Sequence, residues 1–566
     1  MVEGYVRSRP GNCGNGPLSS VCKDACHCLV TGRLRVIHGV SILSRPGTQP
    51  RSPDAGDPAR IRLPWHPLPP WRQGAPRAAR LAAALAGLAV IITYLVIAVS
   101  RLTYPFTVEW LESNSLVEVH RILAGQPLYP APSAEYVPDG YTPLYFYVSA
   151  GAARLFGVSY LSLRLVSLVS SLACFALLAR LVQRETGSIA AGVGAAGVFA
   201  ATYFATGTWF DTARVDSLFL ALSIGGLYAV RRMRGTGGAV VAGIVLAAAA
   251  LTKQTGLAEG VVVTAVLLAG PRRRLACVTA MAEFTVLGIG MLALRLTGGG
   301  WYTYYVFKQM SEQSLIVGNL DWFWKVLLTM MGLAACAALI GARRVPRELL
   351  AGCVVLGVEG CVAMVKNGGT VNDVLPAFLA VALLAGLALG GGSPRWVATA
   401  AGLLVLAQSV ILLAGFHPSQ AIPTSADRGV GERLVAGMRA FGGDVAVPTD
   451  PALSLLAGMA PTAHPAAVSD VLRATDRAAI ASFQRSAEEA VTTHRFSAFI
   501  TDSLGPPLYN PPALSQDYHA CVQPVPTLLV PVAGRAAVPA VVWIPWGGVS
   551  CQAALGILEG GKAARS

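Results

Sequence analysis

The sequence predicts an α-helical polytopic membrane protein with a small extracytoplasmic α/β domain at its C-terminal end. Three observations carry this: a strongly apolar composition, a sidedness of charge around long apolar runs, and a change of composition near residue 416. Of 566 residues, 54% are hydrophobic and 13% charged, and the mean hydropathy is +0.55. An ordinary soluble enzyme is excluded by that balance. Runs of roughly 17–25 apolar residues, the length a bilayer requires, fall at 81–100, 160–182, 188–209, 215–231, 237–252, 254–270, 275–297, 322–342, 348–365, 371–390 and 396–415, about eleven in all.

Carboxylates gather at one set of run ends and arginines at the other. Glu109 and Glu112 follow the first run, and Asp211 and Asp216 follow the third. The alternate ends carry Arg180, Arg184, Arg231, Arg232, Arg234, Arg272, Arg273, Arg274, Arg343, Arg344 and Arg347. Short loops rich in Lys and Arg stay in the cytoplasm, so the carboxylates are expected outside it. The net charge of +14 is largest before the first run, where residues 1–80 hold 12 Lys and Arg against 4 Asp and Glu, a net of +8. That tail sets the N-terminus inside. It does not read as a nucleic-acid surface.

Residues 1–80 are expected to be a disordered cytoplasmic tail, because their Gly, Pro, Ser and Arg carry no apolar period. Cys13, Cys22, Cys26 and Cys28 crowd its start without the paired spacing of a zinc module. Within the outer segment 101–159, Leu116, Val119, Ile122 and Leu123 recur at helical spacing. The stretch Thr142-Pro143-Leu144-Tyr145 opens an apolar run to Phe156, read as a helix lying on the outer surface, because a further span there would put Arg180 and Arg184 outside. Trp301, Tyr302, Tyr304, Tyr305, Trp322 and Trp324 mark the next outer loop as an interfacial aromatic belt. Beyond residue 416, apolar stretches at 445–448, 497–501 and 540–544 read as strands, with helices near 451–459 and 476–492. Cys521 and Cys551 fall in this outer domain, where a disulfide is permitted.

Several groups have the chemistry of a site. Glu109 and Glu112, three residues apart, share a helix face or flank a turn, and a glutamate partly buried beside a membrane has the raised pKa of a general base. They equally fit a helix end in water. Asp211, Arg214 and Asp216 add acids with their own cation, or a plain ion pair. Lys253, in Leu251-Thr252-Lys253-Gln254-Thr255-Gly256, and Lys366, in Lys366-Asn367-Gly368-Gly369, oppose the positive-inside trend and suit an anion such as a lipid phosphate. Asn372 and Asp373 precede a helix N-terminus with the same preference. Glu259, Glu283, Arg295 and Glu359 fall in or near apolar runs, where ionisable groups line cavities or pair. The eight histidines are scattered, so no metal is expected.

Taken together, these motifs over residues 81–390 resemble the GT-C superfamily of membrane glycosyltransferases, in particular the glycosyltransferase family 39-like branch with protein O-mannosyltransferases and the aminoarabinose transferase of lipid A. The resemblance rests on Glu109-Trp110-Leu111-Glu112, Thr142-Pro143-Leu144-Tyr145, Ala213-Arg214-Val215-Asp216, the Lys253 and Lys366 turns, and Asn372-Asp373-Val374-Leu375-Pro376. It implies a GT-C-like bundle and transfer of a sugar from a polyprenyl-phosphate donor to a glycan, lipid or protein acceptor outside a bacterial plasma membrane. It also implies catalysis by Glu109 or Glu112 with Asp216, support from Asp211 and Arg214, and donor-phosphate contacts from Lys253, Lys366 and Asn372. No cofactor is implied. The family's acidic pair is adjacent, whereas here Trp110 and Leu111 separate the acids, so the spacing leaves the base open between the two. A transporter of lipid-linked saccharides and a non-catalytic assembly protein fit the same run pattern.

Topology is directly testable. Reporter fusions after Arg184, Arg234, Arg274 and Arg347 are expected to behave as cytoplasmic and fusions after Gly299 and Pro418 as external; a cytoplasmic signal at Pro418 overturns the assignment.

Overall fold

Apolar runs become helices here because a chain in hydrocarbon must satisfy its own backbone polar groups. The computed structural model describes residues 70–341, 345–390, 393–502, 511–521, 531–533 and 541–558. The expectations for most of the basic tail, including Cys13, Cys22, Cys26 and Cys28, lie outside the described residues, as do Arg343 and Arg344.

The membrane-type helices are α1 (Pro70–Leu102), then, after two outer helices α2 (Glu112–Leu123) and α3 (Leu144–Phe156), the series α4 (Tyr160–Thr186), α5 (Ile189–Ala205), α6 (Asp216–Arg232), α7 (Thr236–Thr252), α8 (Gly256–Leu268), α9 (Arg273–Gly298), α10 (Asn319–Gly341), α11 (Arg347–Val365), α12 (Leu375–Ala388) and α13 (Arg395–Ala414). A helix thus lies at each expected apolar run. Seven segments are long and apolar enough to cross a bilayer: α1, α4, α9, α10, α11, α13, and α12 together with its leading 3₁₀ turn. The apolar helices α5, α7 and α8 are shorter. Helix α1 starts eleven residues before its apolar run. Pro70 is tolerated at a first helical position, and Ala78, Ala79, Ala82, Ala83 and Ala84 favour helix.

Close packing of α1 on α5 depends on two glycines. A Cβ on Gly197 would run into the Cα of Gly87, and a Cβ on Gly87 would stand 3.0 Å from the Cα of Gly197. Small residues of this kind let membrane helices approach backbone to backbone. Beside the contact, Tyr94, Phe175, Phe199, Tyr203 and Phe210 interlock edge to face and stacked, with centroids 4.8–6.2 Å apart.

Helix α3, expected to lie on the outer surface, has 13 residues and rises roughly 20 Å, short of the roughly 30 Å hydrocarbon core. The aromatic loop departs from its expected role. Trp322 and Trp324 are exposed, as a belt requires, but Tyr302, Tyr304 and Tyr305 are buried. Tyr304 and Tyr305 ride on a π-helical turn, Tyr304–Lys308, just after Tyr302, and Tyr302 and Tyr305 pack on Tyr129, with ring centroids 5.1 Å and 6.4 Å away. Packing within the protein, rather than the water interface, takes those rings.

Beyond α13 come α14 (Ser425–Ala440), β1 (Val445–Ala446), α15 (Pro451–Leu456), α16 (Pro465–Arg473), α17 (Arg477–Thr492), β2 (Ala498–Thr501), α18 (Pro511–Asp517), β3 (Tyr518–Cys521), β4 (Val541–Pro545) and α19 (Cys551–Leu558). The sheet runs β1-β2-β4-β3, with β1 parallel to β2 and the other pairs antiparallel. Strand β3 had no apolar signature in the sequence; its residues alternate Tyr518, His519, Ala520, Cys521 and pair with β4 from Pro545 to Val542. A disulfide joins Cys521 to Cys551, with Cα atoms 5.3 Å apart. This α/β portion belongs to the same compact unit as the helices. It docks on the first outer segment through Ala463 N donating to Ala134 O at 2.9 Å, Ser482 Oγ to Pro132 O at 3.2 Å, and Arg495 to Glu135 at 3.0 Å.

Gly197→Ala is expected to cost about 1–3 kcal/mol through overpacking of α1 on α5, read as a lower thermal midpoint in detergent. Gly151→Ala, in α3 with open space around its Cα, is expected to be neutral or mildly stabilising; equal effects of the two would remove the helix contact as the cause.

Candidate active site

The outer acids meet at one place because a buried arginine gathers four segments of chain. Arg164, near the start of α4, donates to Glu112 through Nε at 3.0 Å and Nη2 at 2.7 Å. Its remaining donors reach the carbonyls of Arg101 at 3.2 Å, Tyr104 at 2.7 Å and Phe106 at 2.7 Å. Glu112 in turn accepts from Val108 N at 2.9 Å and Ala213 N at 2.7 Å. Burial alone pushes the Glu112 carboxyl up, but Arg164 and these amide donors hold it below the ordinary carboxylate range. Both side chains are essentially inaccessible to solvent. Of the two glutamates that spacing left equivalent, Glu112 is the one with both carboxylate oxygens engaged by protein donors.

Glu109 has the opposite environment. It is fully buried, Oε2 accepts only from Leu111 N at 3.1 Å, and Oε1 has no partner among the described residues. Burial pushes its pKa up to about 8, against the pull of Arg214 and with a further push from Glu112. An uncommitted carboxylate oxygen with such a pKa is suited to accept a proton near neutral pH.

Arg214 lies within electrostatic reach of Glu109. Its Nη2 donates to the Tyr141 hydroxyl at 3.1 Å and its guanidinium lies over the Tyr141 and Trp209 rings, 5.6 and 5.2 Å from their centroids. Nε and Nη1 are buried with no partner among the described residues. By contrast, Lys253 already has Asp216 at 3.1 Å and Asp373 at 3.6 Å. Lys366 donates to the Met310 carbonyl at 2.9 Å. The Asn372 side-chain oxygen accepts from the Thr370 hydroxyl, inside a capped 3₁₀ turn. Asp216 keeps Oδ2 unpartnered among the described residues. Asp211 is taken up by Arg101, with contacts of 2.5 and 2.6 Å, while Arg101 also binds both oxygens of Thr208 at 2.9 and 2.6 Å. Free hydrogen-bonding capacity for an anion is therefore greatest at Arg214, and the three residues expected at the donor phosphate are engaged by protein partners.

Sequence reasoning missed further acids on the same face. Glu118, on α2, accepts from Asp139 N at 2.8 Å, and Asn114 donates to Asp139 at 2.8 Å. Burial raises both carboxyls, and each lies close enough to a second acid or to Arg214 to be tuned by it. Helical spacing from Glu112 puts Glu118 on α2, but nothing local ties it to Asp139. From the C-terminal portion, burial raises Asp470 to about 7, with Arg473 and Lys366 opposing and Asp139 adding to the rise. Its side chain is still 28% exposed. Glu283 accepts from Thr264 at 3.2 Å inside the bundle, away from these groups. Among the described residues, the one grouping with metal-ligand spacing is His519, Cys521 and Cys551, and both its sulfurs are committed to the disulfide.

Residues 138–297, which contain Asp139, Tyr141, Arg214, Asp216 and Lys253, match the family model for dolichyl-phosphate-mannose-protein mannosyltransferase. No curated protein matches the chain by sequence. Among solved structures, the chain resembles ArnT from Cupriavidus metallidurans bound to undecaprenyl phosphate, with 14% identity over 81% of this chain and 97% of that one and a TM-score of 0.53. The apo state of ArnT from the same organism gives 12% identity, the same coverage and the same TM-score.

Replacing Glu112 by Gln leaves Arg164 buried without its counter-ion, a loss of about 3–5 kcal/mol. The expected outcome is poor recovery of folded protein or a sharply lowered thermal midpoint; a stable Glu112→Gln protein with impaired turnover would return Glu112 to the list of candidate bases.

Proposed function

We propose that this multi-pass membrane protein of the GT-C glycosyltransferase fold moves a hexosyl or pentosyl group from a polyprenyl-phosphate donor to a cell-envelope acceptor on the extracytoplasmic face of a bacterial plasma membrane. The observation that carries the reading is the pairing of Glu109, a buried carboxylate with one uncommitted oxygen and a pKa raised to about 8, with Arg214, a buried guanidinium with two uncommitted donors. A base beside a cation with free N–H groups is what transfer from a phosphate leaving group requires. The membrane fold, the family model over residues 138–297 and the likeness to a structure with bound undecaprenyl phosphate support it.

In this mechanism Glu109 removes the proton from an acceptor hydroxyl as the oxygen attacks the anomeric carbon. The bond from that carbon to the phosphate oxygen breaks, and the electron pair leaves with the lipid phosphate. Arg214 stabilises the charge that develops there, an effect strengthened where water is excluded. Displacement in one step inverts the anomeric centre. A phosphate leaves without protonation, so no general acid is needed. Lys253, held by Asp216 and Asp373, lies 5.9 Å from the Tyr141 ring centroid and supports the ring on which Arg214 rests. Glu118 and Asp139, each with one buried oxygen unpartnered among the described residues, supply further acceptors for substrate hydroxyl groups.

Purified protein in detergent, given radiolabelled undecaprenyl-phosphate sugars and envelope acceptors, is expected to release undecaprenyl phosphate. Glu109→Gln should lower turnover about 10²–10⁴-fold with binding of undecaprenyl phosphate retained, whereas Arg214→Met should weaken that binding. The base works only when ionised, so turnover should rise with pH through about 8 and fall below it. Donor relocation without bond cleavage would favour a transporter, and full turnover by Glu109→Gln would end the assignment of the base.

A further inference from the structure

The loop that carries Glu109 is finished by the C-terminal α/β portion of the chain. Two residues before Glu109, the Thr107 hydroxyl donates to Asp450 Oδ2 at 2.8 Å and shares a second hydrogen bond, 2.7 Å long, with the Tyr160 hydroxyl. One residue before it, the Val108 carbonyl accepts from Ala533 N at 2.9 Å, and Glu109 itself forms a parallel β-bridge with Ala533. Asp450 stands at the N-terminal end of α15, and Ala533 lies between β3 and β4. Two separate parts of the α/β fold therefore meet the base loop at consecutive residues.

We propose that Asp450, acting through Thr107, is a positioning residue for the Glu109 base, which makes the C-terminal portion a component of the catalytic centre. The inference rests on the transferase reading of Glu109. Tyr160 donates to the Thr107 oxygen, Thr107 donates to Asp450, and this directional relay leaves Thr107 one rotamer that satisfies both neighbours. With Val108 bound through its carbonyl to Ala533 and through its amide to Glu112, the backbone from Thr107 to Glu109, from which the carboxylate projects, is held at each residue. Arg164 reinforces the same geometry, since its guanidinium lies over the Tyr160 ring, 4.7 Å from the centroid. Asp450 keeps Oδ1 buried and unpartnered among the described residues, so its one side-chain bond to another segment is the one to the base loop.

The relay separates from folding by choice of variant. Asp450→Ser places another helix-initiating residue at the start of α15 but is too short to reach Thr107; Thr107→Val removes the hydroxyl at constant shape, and Thr107→Ser restores it. In the full-length detergent-solubilised protein, Asp450→Ser and Thr107→Val are expected to lower kcat about 100-fold, the scale of an ångström's misplacement of a reacting group. Undecaprenyl phosphate binding should be unchanged and Thr107→Ser should recover most of the rate. In a Glu109→Gln background, neither substitution should lower the residual rate further, because both act through that carboxylate. Hydrogen exchange supplies a readout independent of turnover: the 104–112 segment should exchange faster in both variants, with the membrane helices unaltered. Normal kcat with unchanged exchange overturns the proposal, and so does an additive loss on Glu109→Gln. Faster exchange at 104–112 in a protein that transfers no sugar even as wild type counts against the transferase reading while leaving the structural coupling intact.

Discussion

The bond on which the outer half of the molecule depends is the buried pair between Arg164 and Glu112. A guanidinium taken out of water must have its charge matched and its five donors occupied. Arg164 meets that demand with one carboxylate and three carbonyls at the end of α1 and in the loop after it. Glu112 has the complementary need and meets it with backbone amides from the same loop and from Ala213. Neither residue has any role in the proposed chemistry. Yet Glu109 is three residues from one end of this network and Arg214 is one residue from another, so the reacting groups are held by the cost of leaving the pair unsatisfied.

The two glutamates illustrate how much of a site a sequence contains. Their position outside the first apolar run was legible, because charge sidedness is a property of neighbouring residues. Their division of labour was not. It depends on Arg164, 52 residues further on, and on the amide of Ala213, both of which approach only after the helices have packed. The spans were legible for the same local reason, as were strands β1, β2 and β4 with their continuous apolar residues. Strand β3 was not, since a half-polar strand of four residues acquires its identity from β4 beside it. The aromatic loop was misread in part because burial and membrane contact select the same side chains.

Electrostatic matching also explains why Lys253 looked more conspicuous in sequence than it is in the fold. A lone lysine on the outer side attracts notice because it lacks neighbours of like kind. In the folded chain it is balanced by Asp216 and Asp373 from two different turns, while among the described residues Arg214 keeps two buried nitrogens without partners, although its sequence neighbours on either side had suggested an ordinary ion pair. Spare capacity is a three-dimensional property. It is the quantity that distinguishes a group that binds a ligand from one that binds its own protein.

The contact between Arg101 and Asp211 carries a consequence for how the molecule is made. Arg101 lies at the end of the first membrane-type helix and its counter-ion lies 110 residues later, beyond the short helices α2 and α3 and the apolar helices α4 and α5. Until that partner has been made, the first helix carries an unmatched cation at its end, on a side chain long enough to keep its charged head in polar surroundings. Asp211 follows α4 and α5 in the chain, together with Thr208, whose left-handed backbone, φ 64°, is held by the same guanidinium. The contact can therefore close only once the chain through α5 has been made, which ties the end of the first helix to the completion of the third apolar segment.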